Sequence, residues 1–454
     1  MTDAVLIVGA GIAGLTAAQR VSAAGARAIV VERKPVVGGR LAAPMTRAGA
    51  IRDRAEGESV PLFDALAADQ NIEIITSAAL QSVEGRAGSF NVSIRERARF
   101  VTDACTRCKK CHNVCPVVLP NEYDAGLTFR KAIHTPMITT LPEAWAIDID
   151  ACLNTPPNYL PCNRCIEVCD DDAIFFNLAL ETVHERHVGA VILAPGMTVE
   201  SGEGYAELGY GVHPDIVTSP EMQRLLESPG PTGGYATRPS NQEYPESVLI
   251  VLEDPSPFAL YIAASQTKQL LDQDVATVSV LVLSPPAGED AAARLTERTG
   301  IEVHWGAGFR AESRDDGMIG VSFEDLREKA FVRQSWEMLV LCVDVAPPAE
   351  LAALADVAGV EVAASGYLAA GAANGSGVET TRPGVFVAGC GCGPKNIKDS
   401  IAEANAAADA ALAQLNPMLL EGESAEAPAE RAAVPDDDMR AQIEKLLFAL
   451  IDRT

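Results

Sequence analysis

Residues 4–32 read "AVLIVGAGIAGLTAAQRVSAAGARAIVVE". An apolar β-like run leads into Gly9, helical periodicity follows Gly11, and a second apolar run closes on Glu32 and Arg33. Gly9, Gly11 and Gly14 complete G-x-G-x-x-G. The first glycine allows a tight turn, the second lets backbone approach a pyrophosphate, and the third lets the helix pack on its strand. Glu32 stands 18 residues beyond Gly14, where a carboxylate can accept both hydrogen bonds of an adenosine ribose. The glycine pattern alone is a weak signal. Strand, helix, strand and terminal acid in that order predict a Rossmann-like dinucleotide site in an α/β fold.

Length and charge bound the rest. The 454 residues suffice for two or three domains with separate cores. With 36 basic against 62 acidic side chains, net −26, the chain is unsuited to nucleic acid, whose phosphates need Lys and Arg, and to an anionic membrane surface. The excess acid reads either as a solvated surface or as a face that docks a basic partner. No run of 18 uninterrupted apolar residues occurs, so no direct membrane insertion is expected. The first strand is not preceded by the charged and apolar regions of a secretory leader, which makes a cytoplasmic chain the expectation. In a reducing compartment, clustered cysteines are more often metal ligands or redox groups than disulfides.

Eight of the 11 cysteines fall between Cys105 and Cys169. "CTRCKKCHNVCP" (105–116) is C-x2-C-x2-C-x3-C-P, the bacterial ferredoxin run whose fourth cysteine ligates the other cluster. It assigns Cys105, Cys108 and Cys111 to one [4Fe–4S] cluster, with Cys169 as the fourth ligand. Cys115 then joins Cys162 and Cys165 on a second. In "ACLNTPPNYLPCNRCIEVCDD" (151–171) the regular position three residues before Cys162 is not cysteine, and the nearest is Cys152, ten residues before it. The second cluster therefore requires the loop after Cys152 to fold back. A pair of zinc sites is the competing reading, although zinc seldom uses this run. Arg107, Lys109, Lys110 and His112 would stabilise a reduced cluster, while Asp170 to Asp172 would oppose it.

Further along, "PVVGGRL" (35–41) resembles the second glycine pair of flavoproteins of the thioredoxin reductase and disulfide reductase type, through Gly38, Gly39 and Arg40. That resemblance implies FAD held extended. "VGAVILAPG" (188–196) resembles the segment returning the chain to the FAD domain, with Ala194, Pro195 and Gly196 at its end. "TRPGVFVAGCGCGPKNIKDSIAEANAAADAAL" (381–412) resembles the segment that meets the flavin, bringing Gly389, Cys390, Lys395, Asn396 and Ile397. A helix N-terminus there favours negative charge on the reduced ring. Such flavoproteins usually carry Asp where this chain has Cys390. No C-x4-C or C-x2-C dithiol stands in the flavin-facing position, and Cys342, Cys390 and Cys392 read as structural. "SVLIVLEDPSPFALYIAASQTKQLL" (247–271) is again strand then helix, but its turn lacks glycine and puts Glu253 and Asp254 where a diphosphate would lie. Nicotinamide binding there is not expected.

The predicted layout is an FAD-binding domain in two parts (1–99 and 346–415), an inserted ferredoxin-like iron–sulfur domain (100–185), a return segment and connection (186–244), a degenerate NAD(P)-domain-like unit (245–345), and a linker with a C-terminal amphipathic helix (416–454). That helix carries Ile443, Leu446, Leu447, Leu450 and Ile451 on one face, to dock on its own chain or on a partner. The strands at 85–99 and 186–194 should be neighbours. An FAD fold with such an insertion resembles the A-type polypeptide of heterodisulfide reductase, the more specific pieces being "LQSVEGRAGSFNVSIRERARFVTDACTRCKKCHNVCP" (80–116) and "VTSPEMQRLLESPGPTGG" (217–234). The resemblance implies an oxidoreductase: a homodimeric FAD-binding core whose clusters relay electrons to B-type and C-type subunits that act on disulfides or thiols. Cysteine-rich stretches typical of methanogen members are missing, and the chain is most similar to the A-type subunit of the heterodisulfide reductase-like complexes of sulfur oxidisers. The flavin subunit of a quinone-interacting oxidoreductase and a stand-alone NAD(P)H-dependent disulfide reductase are the alternatives.

Overall fold

The computed structural model describes residues 4–42, 61–135, 141–227, 230–253, 257–283, 302–371 and 377–415. The amphipathic segment at 439–454 and Asp254 therefore lie outside the described residues.

Strand β1 (Ala4–Val8) is buried at every position, which its unbroken apolar run requires of a central parallel strand. Helix α1 (Ile12–Ala23) crosses over to β2 (Arg27–Val31), which pairs in parallel with β1, and β3 (Ile72–Ile75) adds beyond it. On the other side of β1 lie the parallel strands Ala190–Leu193 and Val385–Val387. Three segments far apart in sequence thus close one sheet. The helix Ile397–Leu415 packs with α1 over one face, where small residues such as Ala17, Ala18, Ala404, Ala407 and Ala411 are buried together. The opposite face is covered by an antiparallel sheet of β4 (Ala78–Arg86), β5 (Ser89–Arg97) and Glu181–Val188, through Leu80, Phe90, Val92 and Ile94.

The register of that small sheet defines the insertion. Arg97 pairs with Glu181, so the chain leaves at residue 98 and returns beside its point of departure at residue 180. The excursion carries its own core of Phe100, Val101, Cys111, Ile133, Trp145, Ile147 and Ile174. A second sheet runs Ile216–Thr218, Met338–Cys342, Ser247–Leu252, Thr277–Val282, Glu302–Ser313, parallel throughout, and ends in an antiparallel meander. Ile216–Thr218 enters this sheet, which extends the middle unit upstream of residue 245. A three-residue strand is too short to announce itself by periodicity. The two crossings between the sheets pair with each other, Thr198 opposite Ala346 and Val199 opposite Val345.

Two arginines fasten the insertion. Arg99 donates from Nη1 to the carbonyl of Pro35 at 2.7 Å and to Thr76 Oγ1 at 3.2 Å, and from Nη2 to the carbonyl of Ala144 at 2.7 Å. The glycine-pair loop, the end of β3 and the insertion therefore share one guanidinium. Arg224 is buried in the middle unit and holds Asp124 of the insertion at 2.7 Å. Replacing Arg99 by Met is expected to cost about 2 kcal/mol in denaturant unfolding, because several enclosed acceptors lose their donor. Replacing the exposed Arg97, which pairs with Asp150 at the surface, should cost well under about 1 kcal/mol.

Candidate dinucleotide cleft and cysteine centre

A cleft of about 1250 Å³ opens at the C-terminal ends of β1 and β2, the place where parallel α/β sheets bind ligands. Of the residues singled out in the sequence, Gly9, Gly11, Glu32, Arg33, Gly39, Arg40, Ala194, Pro195, Gly196, Cys390, Lys395 and Ile397 line it. The glycines differ in what they do. Gly9 has φ +104°, and a Cβ there would lie 2.1 Å from the carbonyl oxygen of Ala194. A Cβ on Gly14 would lie 1.8 Å from the carbonyl oxygen of Gly9, so its absence permits the helix–strand contact. A Cβ on Gly11 would meet nothing within 4 Å. The space over Gly11 belongs to the cleft.

Glu32 is 8% exposed, and its two oxygens accept the backbone N–H groups of Ala10 and Lys34, each at 2.8 Å. Each oxygen retains a second acceptor position, so the carboxylate remains able to take the two hydroxyls of a ribose. Arg40 donates from Nε to the carbonyl of Met197 at 3.1 Å, joining the second glycine pair to the returning strand. Burial lowers the pKa of both Arg40 and Lys34, two cations in a cleft that a diphosphate would suit.

Gly38, Gly389 and Asn396 support the lining instead of forming it. Gly38 donates its N–H to the carbonyl of Ala10 at 2.8 Å. Gly389, at φ +62°, lets its backbone approach Ala13. Asn396 precedes the helix Ile397–Leu415 and accepts the N–H of Asp399 at 2.8 Å, capping the helix whose first turn reaches the cleft through Ile397 and Ser400. Lys395 donates from Nζ to the carbonyl of Gly389 at 3.1 Å and pairs with Glu403 at 3.3 Å. Cys390 and Cys392 are both free thiols, and Cys342 is buried in the second core.

The eight clustered cysteines all lie on the insertion. Burial raises the Cys111 thiol to about 11, with smaller contributions from Cys105, Cys108 and Cys169, and Cys111 in turn acts on Cys165. Cys115, Cys152, Cys162 and Cys165 line a second cavity with Ile133, Ile147 and Phe176. Cys152 reaches it because its loop folds back. Thr155 Oγ1 donates to the carbonyls of Ile149 and Cys152, Asn158 Nδ2 donates to the Cys152 carbonyl at 3.0 Å, and the N–H of Leu160 returns to Leu153 at 2.7 Å. Burial pushes the Cys165 thiol up to about 12. Thiolates in such surroundings need a bound cation to take their charge.

Backbone N–H groups of Arg107 and Ala173 point at the sulfurs of Cys105 and Cys169, each at 3.4 Å. Among the described residues, no three His, Cys, Asp or Glu side chains converge as the ligands of a single metal ion do. The acids after Cys169 are partly offset: Asp170 pairs with Lys110, and Asp171 accepts from Thr106 N at 3.1 Å and Oγ1 at 2.6 Å. These contacts clamp the two cysteine loops together.

Sequence reading missed how the insertion reaches the cleft. Glu122 and Ala125 line it, and Arg99 links Pro35 to the segment bearing Trp145. Arg99, one of three arginines in "RERARF", carries no signal of its partners, all of which are backbone or hydroxyl acceptors distant in the chain.

Residues 7–52 match the NAD(P)-binding Rossmann-like domain family. The chain is 31% identical over 424 residues to the A-type iron-sulfur polypeptide of the CoB–CoM heterodisulfide reductase of Methanocaldococcus jannaschii, covering 89% of this chain and 63% of that protein. It is 29% identical over 423 residues to the A-type polypeptide of the H(2):CoB-CoM heterodisulfide,ferredoxin reductase of Methanothermobacter marburgensis, with the same two coverages of 89% and 63%. The chain thus spans just under two thirds of the length of these relatives. In three dimensions it is similar to a thioredoxin reductase of T. acidophilum, at 14% identity and a TM-score of 0.45, over 90% of this chain and 97% of the other. Among the described residues, no helix is long and apolar enough to cross a membrane. This sequence similarity runs through both the glycine cleft and the cysteine insertion, and over about nine tenths of its length the chain is similar to the A-type heterodisulfide reductase polypeptides.

Proposed function

We propose that the protein is an FAD- and [4Fe–4S]-containing electron-transfer subunit of a heterodisulfide reductase-like complex, working in thiol and disulfide metabolism. The observation that carries the reading is the packing of the clustered cysteines into the core of one insertion, which Arg99 pins to the loop beside the dinucleotide cleft. Bound FAD would supply two-electron chemistry and the clusters one-electron transfer. The chain's own residues position both. Gly11 and Gly39 admit the diphosphate, Glu32 orients the ribose, and the capped helix at Ile397 presents its N-terminus to the ring end of the cleft. Cys105, Cys108, Cys111 and Cys169 would hold one cluster, and Cys115, Cys152, Cys162 and Cys165 the other.

A homodimer that hands electrons to B-type and C-type subunits completes the proposal, with the sulfur-oxidiser complexes as the setting. An anaerobic redox titration followed by visible absorbance and EPR tests it. The expected result is one flavin bleached by two electrons and separate one-electron cluster signals. Rapid bleaching of the purified flavin by NADH would instead make the chain a stand-alone reductase.

A further inference from the structure

Trp145 lies inside the insertion core, 4% exposed, in the same packed group as six of the eight clustered cysteines. Its ring meets that of His112 edge-on, with centroids 5.4 Å apart, and His112 directly follows Cys111. Its carbonyl accepts from Arg99 at 3.3 Å, which fixes the backbone behind the ring. The indole N–H is buried and, among the described residues, finds no acceptor.

A buried donor left unmade costs about 1–3 kcal/mol, and an acceptor that is not part of the polypeptide is one way to meet it. Trp305 and Trp336 also lack acceptors, but both belong to the cores of the second sheet, away from the insertion. Of the three tryptophans, Trp145 alone shares a core with the clustered cysteines. Sulfides and thiolates of a cluster offer lone pairs and carry no protons. The residue placed against the ring, His112, belongs to the first cysteine run.

We propose that the Trp145 indole N–H donates to a sulfur of the cluster held by Cys105, Cys108, Cys111 and Cys169, and so raises its reduction potential. The inference rests on the cluster assignment above. Reduction adds negative charge to the cube, and a donor aimed at its sulfur stabilises the reduced form more than the oxidised one.

Trp145→Phe keeps the apolar ring and removes the donor. The expected result is unchanged iron content and a shift of the first cluster's one-electron equilibrium away from reduction by about tenfold, which is 59 mV more negative. The first cluster's signal is the one that Cys108→Ala removes. The other cluster, and both clusters in Trp305→Phe and Trp336→Phe, should not move. Full iron content with the first potential unmoved, or with the second shifted instead, overturns the inference.

A wild-type protein without iron would sink the cluster assignment itself, a distinguishable failure. If the Phe variant loses iron, pulsed EPR on reduced wild-type protein carrying 15N-indole tryptophan decides. A nitrogen coupling on the first cluster's signal supports the donor, and its absence overturns it.

Discussion

Cys108→Ala is expected to lose about four irons per chain and one EPR signal while keeping its FAD, because one of the four thiolates that would hold the cube is gone. Cys108 suits the test because it is the exposed member of its group, so truncation removes a ligand and almost no packing. Cys111 would confound the result, being buried in the insertion core. The cleft should be indifferent to the change, because none of its lining comes from residues 105–116. Unchanged iron in anaerobically purified Cys108→Ala protein would refute the ligand assignment, and concurrent loss of flavin would show that the two sites fold as one.

Gly11→Ala should separate ligand binding from folding. The added methyl meets no protein atom within 4 Å, so the unfolding transition of the apoprotein should stay within about 0.5 kcal/mol of wild type. The methyl occupies the space assigned to the diphosphate, and FAD affinity is expected to fall about 100-fold, or about 2.7 kcal/mol. Gly9→Ala makes the opposite comparison. Its Cβ would press 2.1 Å from the Ala194 oxygen on a backbone at φ +104°, so it should destabilise the apoprotein by more than about 3 kcal/mol. Flavin titration beside denaturant unfolding measures both. Wild-type FAD affinity in Gly11→Ala would move the diphosphate away from this loop.

What the sequence revealed was what local geometry encodes. The glycine run needs its residues at fixed spacing to make one turn, and the structure shows close backbone approaches at Gly9 and Gly14 and open space over Gly11. The neighbouring of the strands around the insertion was legible only in part: alternation in "SFNVSIRER" marked one strand, but its partner is Glu181–Val188, largely upstream of the expected 186–194, and the apolar run at 190–193 lies beside β1 instead. The place of Cys152 was not. Its approach to Cys162 and Cys165 depends on side-chain bonds from Thr155 and Asn158 to carbonyls, which no spacing rule encodes. Nor could the sequence pair Asp170 with Lys110, or bring Asp124 to Arg224 across 100 residues. Those contacts turn three segments into one assembly, and they are tertiary in origin.

The cysteine insertion and the glycine cleft are read here as one redox unit of thiolate-held iron and bound flavin. Counting iron, acid-labile sulfide, zinc and flavin on protein purified without oxygen puts that reading to the test. About eight irons, about eight sulfides and one FAD per chain are expected, with no stoichiometric zinc. About four irons would leave Cys115, Cys152, Cys162 and Cys165 without a cluster, and a colourless protein carrying zinc or bridged cysteines would contradict the reading altogether.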